Sequence, residues 1–172
     1  MSGKKALIVV DMQNDYLWEN RKPMFSYNTS ALVNAVNQLI GECSRRGDDV
    51  IYIGQVFPNI ITNRWLIGFS IKGTAGAALY PEMAIVSEHY FDKNLPDSFT
   101  SRSFKIFMAE QKYSEVTVCG LDLCGCVGAT AKGAVKAGLS VTLAESAVGC
   151  RFGKEKADKM KKELIALGVE IV

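Results

Sequence analysis

The chain alternates continuous apolar runs with stretches in which apolar residues recur every three or four positions. A continuous apolar run bounded by polar residues is typical of a strand buried on both faces of a sheet. Six such runs predict strands at 6–11, 49–57, 83–91, 115–121, 139–145 and 169–172. The helical spacing predicts helices at 29–47, 101–111, 128–138 and 154–168. Residues 58–80 are rich in glycine and indicate a loop.

Strands that alternate with helices predict a mostly parallel sheet with helices on both faces. The fold class we expect is α/β, a three-layer α/β/α sandwich around a six-stranded, mostly parallel sheet. Residues 1–172 contain no internal repeat, linker or low-complexity tract, which favours a single domain. Thr29 or Ser30 is expected to cap the first long helix, and Gly47 to end it.

Composition narrows the possible partners. Of the 172 residues, 48% are apolar and 22% are charged, and the net charge is +2 without a dense Lys/Arg block. Neither a nucleic-acid nor a membrane partner is indicated. The opening MSGKK passes directly into a short apolar run, which is too brief for a signal peptide, and the five cysteines follow no disulfide framework. We therefore expect a cytoplasmic protein with free thiols.

The single histidine, His89, restricts the chemistry. A multi-histidine metal site is excluded, and a Cys-His dyad would have to use this one residue. A lone histidine is more typical of a surface or capping position.

Candidate chemistry lies where strands end, because ligands of open parallel sheets bind at the carboxyl ends of the strands. Asp11, Gln55, Lys93 and residues 121–126 all lie at or just after the ends of predicted strands. Cys126 also precedes a predicted helix, whose free amides would lower the pKa of a thiol and favour a nucleophilic thiolate. A nearby carboxylate could move the proton and a lysine could hold that carboxylate ionised. Alternatively, Cys126 is a small buried residue, Asp11 a turn residue and Lys93 a solvated one.

Four motifs in order carry a resemblance that covers nearly the whole chain. They are ALIVVDMQNDY (6–16), GTAGAALYPEM (73–83), EHYFDKNLPDSF (88–99) and VCGLDLCGCVGATAKGAV (118–135). Together they resemble the isochorismatase-like cysteine hydrolases, a family that includes nicotinamidases and N-carbamoylsarcosine amidases. In the last motif a glycine stands six residues before the nucleophile and Val follows it directly, which selects Cys126 over Cys124.

The resemblance implies a catalytic triad of Asp11, Lys93 and Cys126. It also implies an oxyanion hole formed by the backbone N–H groups of Asp122 and Cys126, with a cis peptide between Leu121 and Asp122. The implied reaction is hydrolysis of an amide-type C–N bond of a small molecule through a thioester. No cofactor is implied, and relatives are commonly homodimers or homotetramers.

Two departures from the family pattern bear on the substrate. Nicotinamidases carry an acid and two histidines after the second strand to bind a divalent metal, but this chain has Gln55 and Phe57 at the first two positions. We therefore expect no metal site and disfavour nicotinamide. Leu123-Cys124 replaces a frequent Thr-Asp pair, and the orientation of the Asp122 side chain is open. The branch that cleaves isochorismate, a vinyl ether, needs no cysteine, so Cys126 favours an amide.

Apolar residues of the other loops are candidates for the substrate pocket. These are Trp18, Phe57, Ile60, Trp65 and Phe69, although each could equally cover the core or an oligomer interface. Asn14 and Asp15 are expected to hold the first loop through side-chain to backbone hydrogen bonds.

Three other functions remain open on the sequence. A thiol redox protein could use Cys124 and Cys126, a catalytically silent member could keep the fold as a scaffold, and the cysteines could hold a structural zinc. The redox alternative gives Asp11 and Lys93 no role.

Overall fold

Six parallel strands form one sheet in the computed structural model, which describes residues 3–172. Their bounds are Lys4–Val10 (β1), Asp49–Gln55 (β2), Tyr90–Lys93 (β3), Tyr113–Leu121 (β4), Ser140–Gly149 (β5) and Glu170–Ile171 (β6). The order across the sheet is β3-β2-β1-β4-β5-β6, and every neighbouring pair is parallel. The predicted α/β fold is confirmed.

Helices cover both faces because alternate strand residues point to opposite sides. Their bounds are Asn14–Leu17 (α1), Thr29–Arg46 (α2), Ile61–Leu66 (α3), Arg102–Gln111 (α4), Gly128–Lys136 (α5) and Lys154–Ala166 (α6). Leu7 and Val9 of β1 pack in one core with the apolar stripe of α2. Ile8 and Val10 belong to the opposite core, with the buried residues of α4, α5 and α6. No helix among residues 3–172 has the length and apolar character required to span a bilayer.

The start of α2 differs from the prediction. Asn28, rather than Thr29 or Ser30, is the N-cap, and its side chain accepts a hydrogen bond from the Ala31 amide at 3.1 Å. Gly47 ends the helix with a φ of 84°, as predicted, because this left-handed conformation costs glycine little.

The third strand is shorter than its apolar run predicts. Only Tyr90–Lys93 is in register with β2. The His89 carbonyl accepts one further backbone bond from the Tyr52 amide at 2.8 Å, whereas residues 83–88 do not join the ladder. The hydroxyl of Tyr52 donates to the Ala84 carbonyl at 2.8 Å and accepts from the Val86 amide at 3.1 Å, and Asn37 Oδ1 accepts from the Ala84 amide at 2.8 Å. Side chains therefore hold residues 83–88 in place of backbone pairing.

The predicted loop 58–80 contains two short elements, helix α3 and a 3-10 turn at Ala75–Ala77. Both lie between β2 and β3, where short helices cannot be separated from a loop by periodicity. A second 3-10 turn at Ser98–Thr100 follows β3.

The backbones of the central strands β1 and β4 are in close contact at Gly120. Its φ is 104°, and an added Cβ would lie 2.2 Å from the carbonyl oxygen of Val10 in β1. Only glycine fits this contact without moving one of the two central strands.

We predict that Gly120→Ala lowers the free energy of unfolding by at least about 3 kcal/mol, because both the positive φ and the backbone clash oppose a Cβ. The matched control is Gly138→Ala, which has a φ of 82° but no atom within 4 Å of the added Cβ. The control should lose only about 1 kcal/mol. Urea unfolding of both variants measures the difference, and equal losses would contradict the close contact.

Candidate active site

The carboxyl ends of the central strands bring the candidate residues together. Val10, the last residue of β1, is in register with Ile53 of β2 and Gly120 of β4. Asp11 follows with a φ of 53°, and its amide donates to the Ile53 carbonyl at 2.9 Å. Aspartate tolerates this left-handed conformation better than most residues. The turn carries Asp11 out of β1 at the edge where β2 and β4 also end.

Asp11 and Lys93 form a buried ion pair at this edge. The Lys93 Nζ lies 3.0 Å from Asp11 Oδ2, and the two side chains are 0% and 4% exposed. Lys93 also donates to Gln55 Oε1 at 2.7 Å. Two charges taken out of water are costly unless they are paired, so this geometry is strongly constrained.

Cys126 completes the cluster. It lies in a π-type turn, Leu123–Val127, that links β4 to α5. Its Sγ is 3.9 Å from Gln55 Oε1, and it is close enough to Asp11 and Lys93 for both charges to perturb its pKa. The three predicted triad residues therefore meet in space.

The charge state of the cluster differs from our expectation. Burial raises the pKa of the Cys126 thiol to about 12, the Asp11 carboxylate adds to the rise, and the Lys93 ammonium opposes it. The expected thiolate at neutral pH is therefore wrong for the free site. Burial and the adjacent carboxylate outweigh both the lysine and the position at the start of a helical segment. The resting group is a thiol.

Asp11 and Lys93 each oppose the effect of burial on the other's pKa. Burial raises the pKa of Asp11, and Lys93 offsets part of that rise. Burial alone would lower the pKa of Lys93, but Asp11 outweighs it and the pKa is raised. Asp11 Oδ1 has no hydrogen-bond partner within residues 3–172. One oxygen thus holds Lys93 while the other is free to accept a proton.

Side chains of the first loop fix the edge of the sheet. Gln13, fully buried, donates to the carbonyl of Gln55 at 2.9 Å and accepts from its amide at 2.8 Å. Asn14 donates to the Ala75 carbonyl at 2.8 Å, and Asp15 accepts from the Ser70 amide at 2.6 Å. The predicted hydrogen bonds of Asn14 and Asp15 are found, whereas the two hydrogen bonds between the Gln13 side chain and the Gln55 backbone were not predicted.

The peptide bond between Leu121 and Asp122 is cis, at the position that the resemblance implied. The Asp122 carboxylate accepts three hydrogen bonds: from the Tyr27 hydroxyl at 2.9 Å, the Cys124 amide at 2.9 Å and the Arg151 amide at 2.7 Å. The Asp122 side chain is therefore directed toward these three donors. Its orientation, which the sequence left open, is fixed by them.

A cavity of about 350 Å³ opens above this cluster. Its polar floor includes Asp11, Gln55 and Cys126, and its walls are mainly aromatic, formed by Tyr16, Phe25, Tyr27, Phe57 and Phe69. The rings pack edge to face, with centroids 5.1 Å apart for Phe25 and Phe69. A rigid apolar enclosure of this size suits one small organic molecule.

Three of the predicted wall residues do not line the cavity. Trp65 and Ile60 are 86% and 52% exposed, in and just before α3, and Trp18 lies outside the cavity lining. Helix α3 buries none of its residues, so its apolar side chains face solvent. Phe57 and Phe69 are the predicted wall residues that do line it.

The family model for the isochorismatase domain matches residues 5–172. The chain belongs to the isochorismatase family. Among individual proteins, the isochorismatase family protein YddQ of Bacillus subtilis (strain 168) is 27% identical over 143 residues, which is 83% of this chain and 76% of YddQ.

Solved structures share the isochorismatase fold. The pyrazinamidase/nicotinamidase of Streptococcus mutans UA159 superposes with a TM-score of 0.83 at 22% identity, covering 98% of this chain and 100% of that one. The N-carbamoylsarcosine amidase of Thermoplasma acidophilum gives 0.80 at 23% identity, covering 98% and 95%. At these identities the likeness establishes the fold.

The residues at the position where nicotinamidases are expected to bind a metal do not fit a metal. Gln55 Oε1 already accepts from Lys93, and the ring of Phe57 packs against Phe69 with centroids 6.0 Å apart. His89 lies next to β3 and stacks on Phe107. Gln55 and Phe57 are therefore engaged in contacts within the protein at this position.

Sequence reasoning missed several residues of this isochorismatase-family site. The cavity is also lined by Asn94, Pro96 and Arg151, which lie beyond strand ends without a periodic signal. The guanidinium of Arg151 lies 5.3 Å from the ring centre of Phe25, and its Nε is buried without a partner in the described chain. Arg151 lies two residues after the end of β5, but that strand was predicted to end at 145, so its strand-end position could not be read from the sequence.

We predict that alkylation of Cys126 by iodoacetamide keeps accelerating up to at least pH 9, because a pKa of about 12 leaves little thiolate near neutrality. Asp11→Asn should raise the rate at pH 8, since removing the carboxylate lowers the thiol pKa. Mass spectrometry of the peptide that contains Cys126 measures the rate.

Asp92→Asn is the matched control for that experiment, because Asp92 is an exposed carboxylate one residue before Lys93. This variant should leave the rate unchanged. A parent rate that levels off below pH 8, or slower alkylation in Asp11→Asn, would contradict the assigned charge state.

Proposed function

We propose that this isochorismatase-family hydrolase cleaves an amide-type C–N bond of a small molecule, with Asp11, Lys93 and Cys126 as its catalytic triad. The observation that carries the proposal is the buried Asp11–Lys93 pair beside the Cys126 thiol on the floor of a cavity lined by aromatic rings. A buried acid, cation and thiol at one site form an acid–base and nucleophile set that a purely structural role would not require.

In the first step, Asp11 accepts the thiol proton as the sulfur of Cys126 attacks the amide carbon. Its free Oδ1 supplies the acceptor, and Lys93 holds the other oxygen. Because the resting group is a thiol, proton transfer accompanies attack rather than preceding it. The products of this step are a tetrahedral intermediate and a protonated Asp11.

In the second step, protonated Asp11 returns its proton to the leaving nitrogen. The C–N bond breaks, ammonia or an amine departs, and an acyl thioester on Cys126 remains. A water molecule then gives one proton to Asp11 and attacks the thioester, which releases the carboxylic or carbamic acid product. Asp11 finally returns the proton to the sulfur.

The oxyanion is proposed to bind the backbone N–H groups of Asp122 and Cys126. Support comes from the tight turn of this segment, in which the amides of Gly125 and Val127 both donate to the Asp122 carbonyl at 2.9 and 3.0 Å. The three hydrogen bonds to the Asp122 carboxylate hold the same residue from the other side. Each donor fixed in such a position contributes a few kcal/mol to the transition state.

The proposed substrate is a small, partly apolar primary amide, carbamoyl compound or ureide. The cavity volume and the ring walls support a compact organic body, and the unpartnered Nε2 of Gln55 offers a donor at the floor. One structural relative is an N-carbamoylsarcosine amidase and another a pyrazinamidase/nicotinamidase. Gln55 and Phe57 at the metal position disfavour nicotinamide itself.

The alternatives leave parts of the site unused. None of the three alternatives assigns a role to the buried ion pair of Asp11 and Lys93. These alternatives are a redox role for Cys124 with Cys126, a catalytically silent scaffold and a structural zinc. The thiol nearest to Cys124 is moreover that of Cys150, at 3.8 Å.

We further propose a cytoplasmic homodimer or homotetramer. The odd cysteine number and absence of a disulfide framework favour a reducing compartment. The exposed apolar face of α3, with Ile61 at 75%, Trp65 at 86% and Leu66 at 85%, favours self-association.

We predict that the parent releases ammonia from at least one member of a panel of primary amides, carbamoyl compounds and ureides, whereas Cys126→Ala does not. Loss of the nucleophile should lower turnover by at least about a thousandfold, since no other group can form the thioester. Circular dichroism should show the variant folded.

Cys124→Ala, on the same turn, is the matched control for that assay and should retain turnover. In the parent, acid quenching should trap a thioester on the peptide that contains Cys126, and mass spectrometry should detect it. Turnover by Cys126→Ala at the parent rate would overturn the nucleophile assignment. A folded parent inactive on the whole panel would favour the silent alternative.

We predict that Leu66→Glu shifts the oligomer toward monomer in size-exclusion chromatography with light scattering, because a charge would be buried at the α3 face. Ile165→Glu, at a 58% exposed position of α6, is the matched control and should leave the mass unchanged. An unaltered oligomer in Leu66→Glu would exclude this face as the interface.

A further inference from the structure

Two thiols outside the triad meet at the end of the sheet. Gly149, the last residue of β5, is in register with Leu121 of β4, so Cys150 directly follows a strand beside the one that leads to Cys124. Adjacent strands lie about 4.8 Å apart, which brings the two backbones within reach of a disulfide. The sulfur atoms of Cys124 and Cys150 are 3.8 Å apart.

Both thiols are partly accessible, unlike the fully buried Cys43 and Cys119. Neither has a part in the proposed hydrolysis. Cys150 Sγ otherwise contacts only the Phe152 carbonyl, at 3.6 Å, among the bonds within residues 3–172. A small oxidant could therefore reach this pair without unfolding the core.

Asp122 is the third potential metal ligand near these sulfurs, with ligand atoms that all lie within 4.8 Å of one another. Its carboxylate, however, already accepts bonds from Tyr27, Cys124 and Arg151. Binding a metal would break that set. Two sulfurs without a free third ligand favour oxidation over metal binding.

We propose that Cys124 and Cys150 are a redox modification site that forms a reversible disulfide on exposure to a peroxide. The first thiol is oxidised to a sulfenic acid as the peroxide O–O bond breaks and one water leaves. The second sulfur then attacks it, which forms the S–S bond and releases a second water. The sulfurs lose two electrons and the peroxide gains them.

The disulfide would join two parts of the candidate site. Cys124 lies on the turn that carries Cys126, and Cys150 precedes Arg151 of the cavity wall. Closing the sulfurs from 3.8 Å to a bond length of about 2.05 Å draws these segments together. Oxidation would thus act on the geometry of the turn while leaving the nucleophile unmodified.

The test treats the full chain with a small excess of hydrogen peroxide, blocks free thiols with iodoacetamide, and analyses a tryptic digest by mass. We expect peptide 113–132 linked to peptide 137–151, lighter by two hydrogen atoms than their sum and separated by dithiothreitol. Cys126→Ser is the matched control and should keep the link. Cys124→Ser and Cys150→Ser should each reduce it at least about tenfold.

The readout is the mass of a linked peptide pair, so the test of the disulfide does not depend on the amidase proposal. Absence of the link in the folded, oxidised parent would overturn the assignment. A link that survives in Cys124→Ser and disappears in Cys126→Ser would assign the disulfide to Cys126 and Cys150 instead, and would also overturn it. Circular dichroism of the serine variants verifies that they are folded.

Discussion

The site depends on the ion pair between Asp11 and Lys93, two opposite charges held almost completely out of water. Removing either partner would leave an uncompensated buried charge, at a cost of several kcal/mol. The pair also reaches across β2, because Asp11 follows β1, Lys93 ends β3, and β2 lies between these two strands. Gln55 fills that gap by accepting from Lys93, and Gln13 fixes the backbone of Gln55. The position of β2 relative to its neighbours therefore determines where the pair can form.

Much of this arrangement could be predicted from the pattern of residues. Parallel strands buried on both faces leave continuous apolar runs, and residues after those runs must share one edge, so Asp11, Lys93 and Cys126 could be expected to meet. The cavity walls could not be predicted in the same way. Tyr16 reaches the cavity from the four-residue helix α1, and Phe25 and Tyr27 reach it from the irregular segment between α1 and α2, and no periodicity encodes either path. Trp65 was a poor candidate for a related reason. The sequence does not show whether an aromatic residue of such a loop faces the cavity or the solvent, and Trp65 faces the solvent.

The protonation state of Cys126 was the other failure, and its cause is energetic. A helix terminus and a lysine both favour a thiolate, and both features can be read from a sequence. Desolvation depends on how completely neighbouring atoms exclude water, which only packing determines, and the nearby carboxylate acts in the same direction. The Asp11 carboxyl group lies beside this sulfur, and burial raises its pKa as well.

A hydrogen bond of Thr130 links the segment after Lys93 to the helix after Cys126. None of the three proposed triad residues takes part in it. The Thr130 hydroxyl accepts from the Ser98 amide at 3.1 Å and lies 2.8 Å from the Ser98 hydroxyl, both fully buried. Ser98 follows Lys93, and Thr130 lies on the helix that follows Cys126. The segments that carry the proposed triad are thus joined to each other, while the ring walls come from the segments around 16–27 and 57–69. Exchanging those two segments between members of the family would alter the cavity walls and leave Asp11, Lys93 and Cys126 in place, so this scaffold lends itself to modular engineering of its cavity.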